Sequence, residues 1–442
     1  MPQDTPFMHE YRPDVDGLRA IAVSAVIAHH FFNDLLPGGF LGVDMFFVIS
    51  GYVITASLAK QPHDSIRALF LGFYSRRIKR LLPALIVCVV ATCLVGAMFI
   101  NPGASEYSGS MEAGFYSLFG LSNIYFFKEA TDYFGSSGQL NLFTHTWSLG
   151  VEEQFYIVFP ALFWISGNAS DRLGGRQFLL AALGLLTILS FSSYVWLNKM
   201  MANGAYFLMP PRFWELSFGC MTALTRLPPL SFGRRRLGQV AWLAFVLFAI
   251  PLFAPTDQQL YTTPAVVIGT AALIMTLRPG NLLYQVLTLR CVLIVGLMSY
   301  SLYLWHWSVL AIGRWTVGVH WWSAPVQIGA IIGLAASSYV FVERPLRWAE
   351  WSTYRLVTIG FGLVAVVCSA EMIIVLKSGL NGMLYTGTPA HLQAKGVETL
   401  MDNKWYAGKL YWPARACILS SNDDVGKHFA AIWLTADAQS RR

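Results

Sequence analysis

Residues 82–100 read LPALIVCVVATCLVGAMFI, and no charged side chain interrupts them. At 1.5 Å per residue a helix of this length covers about 28 Å, close to the roughly 30 Å hydrocarbon core of a bilayer. Just before it, residues 73–81 (FYSRRIKRL) gather three arginines and a lysine, as at a helix end held in the headgroup region. This stretch is a membrane-spanning helix. The rest of the chain has the same character. Of its 442 residues, 55% are hydrophobic and 12% charged, whereas an average soluble domain carries about 25% charged residues. Too little polar surface remains to cover a water-soluble globule. A soluble enzyme, a disordered chain, a fibre and a disulfide scaffold are excluded. Barrel strands would show as alternating segments of about ten residues, so the fold class is all-α, a polytopic transmembrane helix bundle.

Working outward, apolar runs mark eleven spans, near 18–36, 40–59, 82–100, 147–167, 178–197, 206–225, 237–254, 261–277, 291–313, 322–342 and 356–376. The expected architecture is thus a bundle of about 10–11 spans over 1–376, followed by a short extracytoplasmic tail, 377–442, with no complete domain. A further piece, 113–127, is broken by Gly and Asn and reads as an interfacial or re-entrant segment. The N-terminus lacks a basic region and a small-residue cleavage site, so the first span is expected to be retained. Orientation follows from charge. With the N-terminus cytoplasmic, 19 Lys and Arg fall inside, while only Lys128, Lys199, Arg212 and Arg314 fall in outer loops. Positive charge biases segments toward the cytoplasm, which accounts for the net charge of +7 without nucleic acid. Cys88, Cys93, Cys220, Cys291 and Cys368 lie in apolar runs and Cys417 in the tail. No metal-type spacing occurs, and no metal is expected.

In lipid the informative residues are the ionisable ones, which face the bundle interior and mark a pathway or a site. In the first span Arg19 and His30 are about three helical turns apart and share a face. Taken alone, Arg19 reads first as a topology anchor and His30 as a packing residue. His29 points about 100° away. In the second span Asp44 calls for a partner, a neighbouring His being a natural one, or else snorkels to the outer interface; Ser50 lies near the span's centre. Arg76, Arg77 and Arg80 crowd the start of the third span, with Arg76 and Arg80 expected on one face. Guanidinium forks suit phosphates, although on this segment alone plain positive-inside charge is the favoured reading. The fourth span opens with His145 and carries Glu152, which should face a polar cavity. Ser301, Tyr303 and His306 fall in the ninth span, and Glu343 ends the tenth, where it reads as a structural stop.

Six ordered segments carry a resemblance: RPDVDGLRAIAVSAVIAHH (12–30), GGFLGVDMFFVISGYVIT (38–55), FYSRRIKRLLPA (73–84), WSLGVEEQFY (147–156), SYSLYLWHW (299–307) and YVFVERP (339–345). Together they resemble the acyltransferase-3 family of membrane O-acyltransferases. The resemblance implies a bacterial cytoplasmic-membrane enzyme. It would move an acyl group, usually acetyl, from cytoplasmic acyl-CoA to a hydroxyl of an extracytoplasmic or lipid-linked carbohydrate. It places the family's Arg–His pair on Arg19 and His30, its arginine cluster on Arg76, Arg77 and Arg80, and its glutamate on Glu152. His30 would then serve as base, with Glu152 or Asp44 orienting a polar partner. Arg19 and the cluster would hold the CoA phosphates, and Ser50, His145, Tyr303 and His306 would line the substrate path. Direct transfer and an acyl-His intermediate both remain open. Many family members continue into an esterase-like domain with a Gly-Asp-Ser motif, which the tail lacks. The rival reading is a proton-coupled transporter with relaying His, Asp and Glu; it has no need of three arginines at one mouth.

Overall fold

A computed structural model describes residues 11–60, 65–132, 138–167, 174–225, 234–349, 351–378, 383–386, 405–406 and 409–410. Its helices are α1 (Pro13–Phe31), α2 (Gly42–Ala59), α3 (Ile66–Phe99), α4 (Ser105–Leu118), α5 (Ser122–Thr131), α6 (Trp147–Ile165), α7 (Gly175–Met200), α8 (Ala202–Phe207) and α9 (Phe213–Leu224). They continue as α10 (Arg234–Ala249), α11 (Gln259–Thr276), α12 (Leu282–Leu287), α13 (Arg290–Leu297), α14 (Ser299–Trp315), α15 (Ala324–Ser338), α16 (Arg344–Trp348) and α17 (Arg355–Ser378). Among the described residues the only strands are Trp405–Tyr406 and Lys409–Leu410, a two-residue antiparallel ladder.

All eleven apolar runs fall on helices, but they do not make eleven equal spans. Among the described residues six helical segments are long and apolar enough to cross a membrane by themselves, and α13–α14 makes a seventh if its 67° bend is taken within one span. The sixth run is divided, with α8 and the 12-residue α9 separated by a short 3-10 turn at Pro210–Arg212. The interrupted piece at 113–127 is two helices, α4 and α5, parted at Gly120, whose φ of +67° is the left-handed region a glycine adopts without strain. The expected tail lies for the most part outside the described residues, as do Arg172 and Arg226 of the charge count. Residues 383–386 return to α3, where Thr386 donates to Met98 O from both its amide and its hydroxyl (3.0 and 2.9 Å).

Local chemistry sets the helix starts. Pro13 opens α1, and Asp14 and Asp16 occupy its first turn, where negative charge complements the helix dipole. Arg12 forks onto Asp14 (2.5 and 2.8 Å) and also donates to Tyr52 Oη (3.1 Å) and Ile274 O (2.8 Å), pinning that end of α1 to α2 and α11. The Ser65 side chain caps α3 by accepting from Ala68 N (3.1 Å). Small residues then let helices touch at backbone distance. A Cβ on Gly51 would lie 1.9 Å from Leu216 O, and one on Gly219 would lie 1.9 Å from Val48 O, so α2 and α9 approach at both crossings. The central element is α14, buried continuously from Ser299 to Ser308. An apolar helix covered on every side belongs in the middle of a bundle, and here α14 brings its Tyr and His residues to the site.

Candidate active site

Among the described residues a pair of neighbouring cavities opens inside the bundle. The first, of about 370 Å³, has Arg19, Arg77 and Arg80 on its polar side together with Glu152 and Glu153. Arg19 comes from α1, the other two arginines from α3, and the carboxylates from α6. Arg77 and Arg80 are three residues apart and so share a helix face. Arg77 lies over the rings of Tyr156 (5.0 Å to the centroid) and Phe73 (5.5 Å). The Arg80 Nε is buried without a hydrogen-bond partner among the described residues. Arg19 is 3.7 Å from Asp16. Glu152 is held at both oxygens: Ser50 Oγ donates to Oε1 (2.9 Å) and Tyr156 Oη donates to Oε2 (2.6 Å). The opposite wall is apolar, with Leu82 and Leu85 of α3 facing Val366 and Val367 of α17.

The second cavity, of about 270 Å³, is lined by His29, His30, His145, His306, Trp307 and Tyr206, among others. The His30 ring stacks on His306 at 5.5 Å and meets the edge of Trp307 at 4.8 Å. His145 and His306 are 5.6 Å apart, edge to face. His306 Nδ1 lies 2.6 Å from Tyr303 O. A carbonyl only accepts, so Nδ1 carries the proton and Nε2 presents its lone pair; that Nε2 is buried without a partner. His29 Nδ1 is bound to Leu36 O in the same way (3.1 Å). Among the described residues no group of three or more His, Cys, Asp or Glu is placed to hold a metal ion.

The structure therefore brings most of the expected residues together, in two groups. Arg19, Arg77, Arg80, Glu152 and Ser50 line the first cavity, His30, His145 and His306 the second, and Tyr303 touches both. Arg19 and His30 stand eleven residues apart on α1, roughly 16 Å along the axis, one at each cavity. Arg76 departs from expectation. It stands one turn before Arg80 on the unbroken α3, on the same helix face as expected, but it is exposed and does not line the cavity. Asp44 departs too, for its partner is an arginine. Arg212 Nη1 donates to Asp44 Oδ1 (2.7 Å) and Glu215 Oε1 (2.8 Å), and all three residues are at most 3% exposed. Asp44 lines neither cavity.

Arg212 had counted as an outer-loop cation, yet it is buried with its guanidinium over Trp147, Tyr194 and Tyr206 at 5.4–5.8 Å. The available signal was the lone Asp44 in one apolar run, which needed a cation, and Arg212 in another. Two of the three rings, Trp147 and Tyr206, also line the histidine cavity. Glu343, read as a structural stop, is instead buried on a π-helical turn (Tyr339–Glu343), where it accepts from Ser301 Oγ (2.9 Å). Tyr156 and Trp307 carried no sequence signal, because aromatics at helical spacing in a membrane chain look like packing.

The acyltransferase-domain family profile matches residues 12–370. The chain is 28% identical over 438 residues to the peptidoglycan O-acetyltransferase OatA of Listeria monocytogenes, covering 90% of this chain and 68% of that protein. It is 30% identical over 415 residues to the putative peptidoglycan O-acetyltransferase YrhL of Bacillus subtilis, with coverage of 85% and 63%. To the O-acetyltransferase OatA of Staphylococcus aureus it is 30% identical over 360 residues, with coverage of 76% and 57%. The chain thus spans about two thirds, or less, of the length of these curated relatives. No solved structure matches it.

Proposed function

The chain belongs to the acyltransferase-3 family, and on that premise we propose that it is a membrane O-acetyltransferase. It takes acetyl from acyl-CoA on the cytoplasmic side and delivers it to a hydroxyl of a cell-envelope glycan, peptidoglycan being the acceptor named for its relatives. The observation that carries this reading is the pairing of an arginine-lined cavity with a histidine-lined one along a single helix.

Three guanidiniums on one cavity wall suit the phosphates of CoA, which each fork can grip bidentately. The unpartnered Arg80 Nε is a donor of the kind a phosphate oxygen would satisfy. The pantetheine arm would run along the cavity toward the histidines. There the acceptor hydroxyl gives its proton to His30 as its oxygen bonds the acyl carbon. The carbon–sulfur bond then breaks, and CoA leaves as a thiol, taking a proton back. Neutral imidazole is the apt base near pH 7, and such a base is worth roughly 10²–10⁴-fold in rate. His306, with its tautomer set by Tyr303 O, supports a relay beside His30. Glu152, held at both oxygens, orients the cavity without itself moving a proton. In this reading the N-terminus and the arginine cavity lie on the cytoplasmic side of the bacterial inner membrane, and the histidine cavity opens toward the other side.

The test is transfer from labelled acetyl-CoA supplied to inside-out vesicles. His30→Ala should lose roughly 10²–10⁴-fold in rate, and His29→Ala much less. Arg77→Lys and Arg80→Lys keep the charge but lose the fork, so they should raise the KM for acetyl-CoA. The exposed Arg76→Lys should not. Equal KM values in all three Lys variants, or full activity without His30, would overturn the assignment.

A further inference from the structure

The arginine and histidine cavities have two wall residues in common, Val43 on α2 and Tyr303 on α14. Both are buried, at 8% and 6% exposure. Tyr303 is tethered where it stands. Its hydroxyl donates to His145 O (2.8 Å) and pairs with Ser148 Oγ (2.8 Å). Its ring packs against Phe46 at 6.0 Å and His306 at 5.3 Å. Val43 is held from the other side, because its neighbour Asp44 is locked to Arg212 and a Cβ on the preceding Gly42 would lie 2.3 Å from Ala22 O. Neither wall can yield without breaking hydrogen bonds or lifting α2 from α1.

We infer that Val43 and Tyr303 form a rigid partition that selects the acyl group by size. This rests on the donor reading above: CoA phosphates on Arg77 and Arg80 leave the thioester to cross to His30, and the crossing lies between these two side chains. Acetyl ends in a single methyl. With the thioester at the crossing, each further methylene must be seated against a β-branched side chain and a ring tethered at its hydroxyl. A fixed apolar wall discriminates about 10-fold or more per methylene, and well-packed interiors transmit rather than absorb such an insertion. The donor cavity itself is not the sieve, since at about 370 Å³ with an apolar wall it has room for longer chains.

The experiment is competition between labelled acetyl-CoA and propionyl-CoA in the same inside-out vesicles, read as the ratio of the two acyl groups transferred. A ratio does not depend on how much of a variant inserts. Wild type should favour acetyl by roughly 10-fold or more. Val43→Ala removes two methyls from the partition, and Tyr303→Phe keeps the ring but cuts both tethers. Each should bring the ratio toward unity, with Val43→Ala the larger change. A wild type that transfers both groups equally, or variants that keep the wild-type preference while still transferring acetyl, would overturn the partition and leave the donor reading intact. A wild type that transfers neither group from any CoA would overturn the donor reading and the partition with it.

Discussion

At the scale of single residues, burial and partners separate side chains that look alike in the sequence. Arg76, Arg77 and Arg80 are neighbours of the same chemistry, but one faces outward and two face a cavity. His29 and His30 are adjacent, yet only His29 has a ring nitrogen bound to a backbone carbonyl of its own loop. The Asp44–Arg212–Glu215 group holds the most deeply buried ion pairs among the described residues. Two carboxylates share one guanidinium with almost no solvent, so removing the cation strands both. Arg212→Met should destabilise the protein by about 3–5 kcal/mol. It should also loosen Trp147 and Tyr206, on which the guanidinium rests. Adding Asp44→Asn and Glu215→Gln, which remove the stranded charges, should recover much of that loss. Melting of the purified protein in mild detergent measures both, and a triple variant no more stable than Arg212→Met would show that the charges were not the problem.

Among elements, the closest pairing is between α2 and α9, and it needs hydrogen atoms where other residues have a Cβ. Gly51→Ala or Gly219→Ala would push a methyl to 1.9 Å from a backbone oxygen of the facing helix. Backbone cannot swing aside as a side chain can, so each substitution should lower stability by about 1–3 kcal/mol or more. Gly184 in α7 is the control, since a Cβ there meets nothing within 4 Å. Gly184→Ala should be neutral or stabilising by up to about 1 kcal/mol, the helix-propensity difference. Thermal melting of the three variants decides it, and equal losses at all three positions would exclude close approach as the cause. The bend between α13 and α14 has the same origin. A Cβ on Gly296 would sit 2.0 Å from Asp16 O, so α13 lies directly on α1 before the chain turns into the central helix.

For the whole molecule, the two cavities mark two ends. Arg67, at the start of α3, is exposed near the arginine end, and Asp257 is exposed beside Thr256 and Gln259 of the histidine cavity. The basic bias predicts that the first end is cytoplasmic. In a cysteine-free background, Arg67→Cys should react with an impermeant thiol reagent only in inside-out vesicles, and Asp257→Cys only in right-side-out ones. Labelling of both from the same face would overturn the topology. An arginine-lined and a histidine-lined cavity inside one bundle are what the proposed reaction requires, a phosphate-rich donor reaching a hydroxyl acceptor from the other side.

The sequence alone determined the helical membrane class, the positions of the apolar segments and the six segments that carry the family resemblance. These depend on local quantities, namely hydropathy along the chain and the spacing of residues on a helix, which need no partner to be read. It also singled out Arg19, His30 and Glu152, because an ionisable group in an apolar run stands out wherever it is. The tertiary structure decided everything that depends on a second helix. Asp44 found Arg212, 168 residues away, and not a histidine. Arg77 and Arg80 line a cavity that Arg76, of the same cluster, does not. Val43, an ordinary valine in an apolar run, came to line both cavities beside Tyr303. Helix periodicity says which residues share a face but not what that face meets; only the packing of the helices against one another fixes which charges pair and which side chains divide the interior.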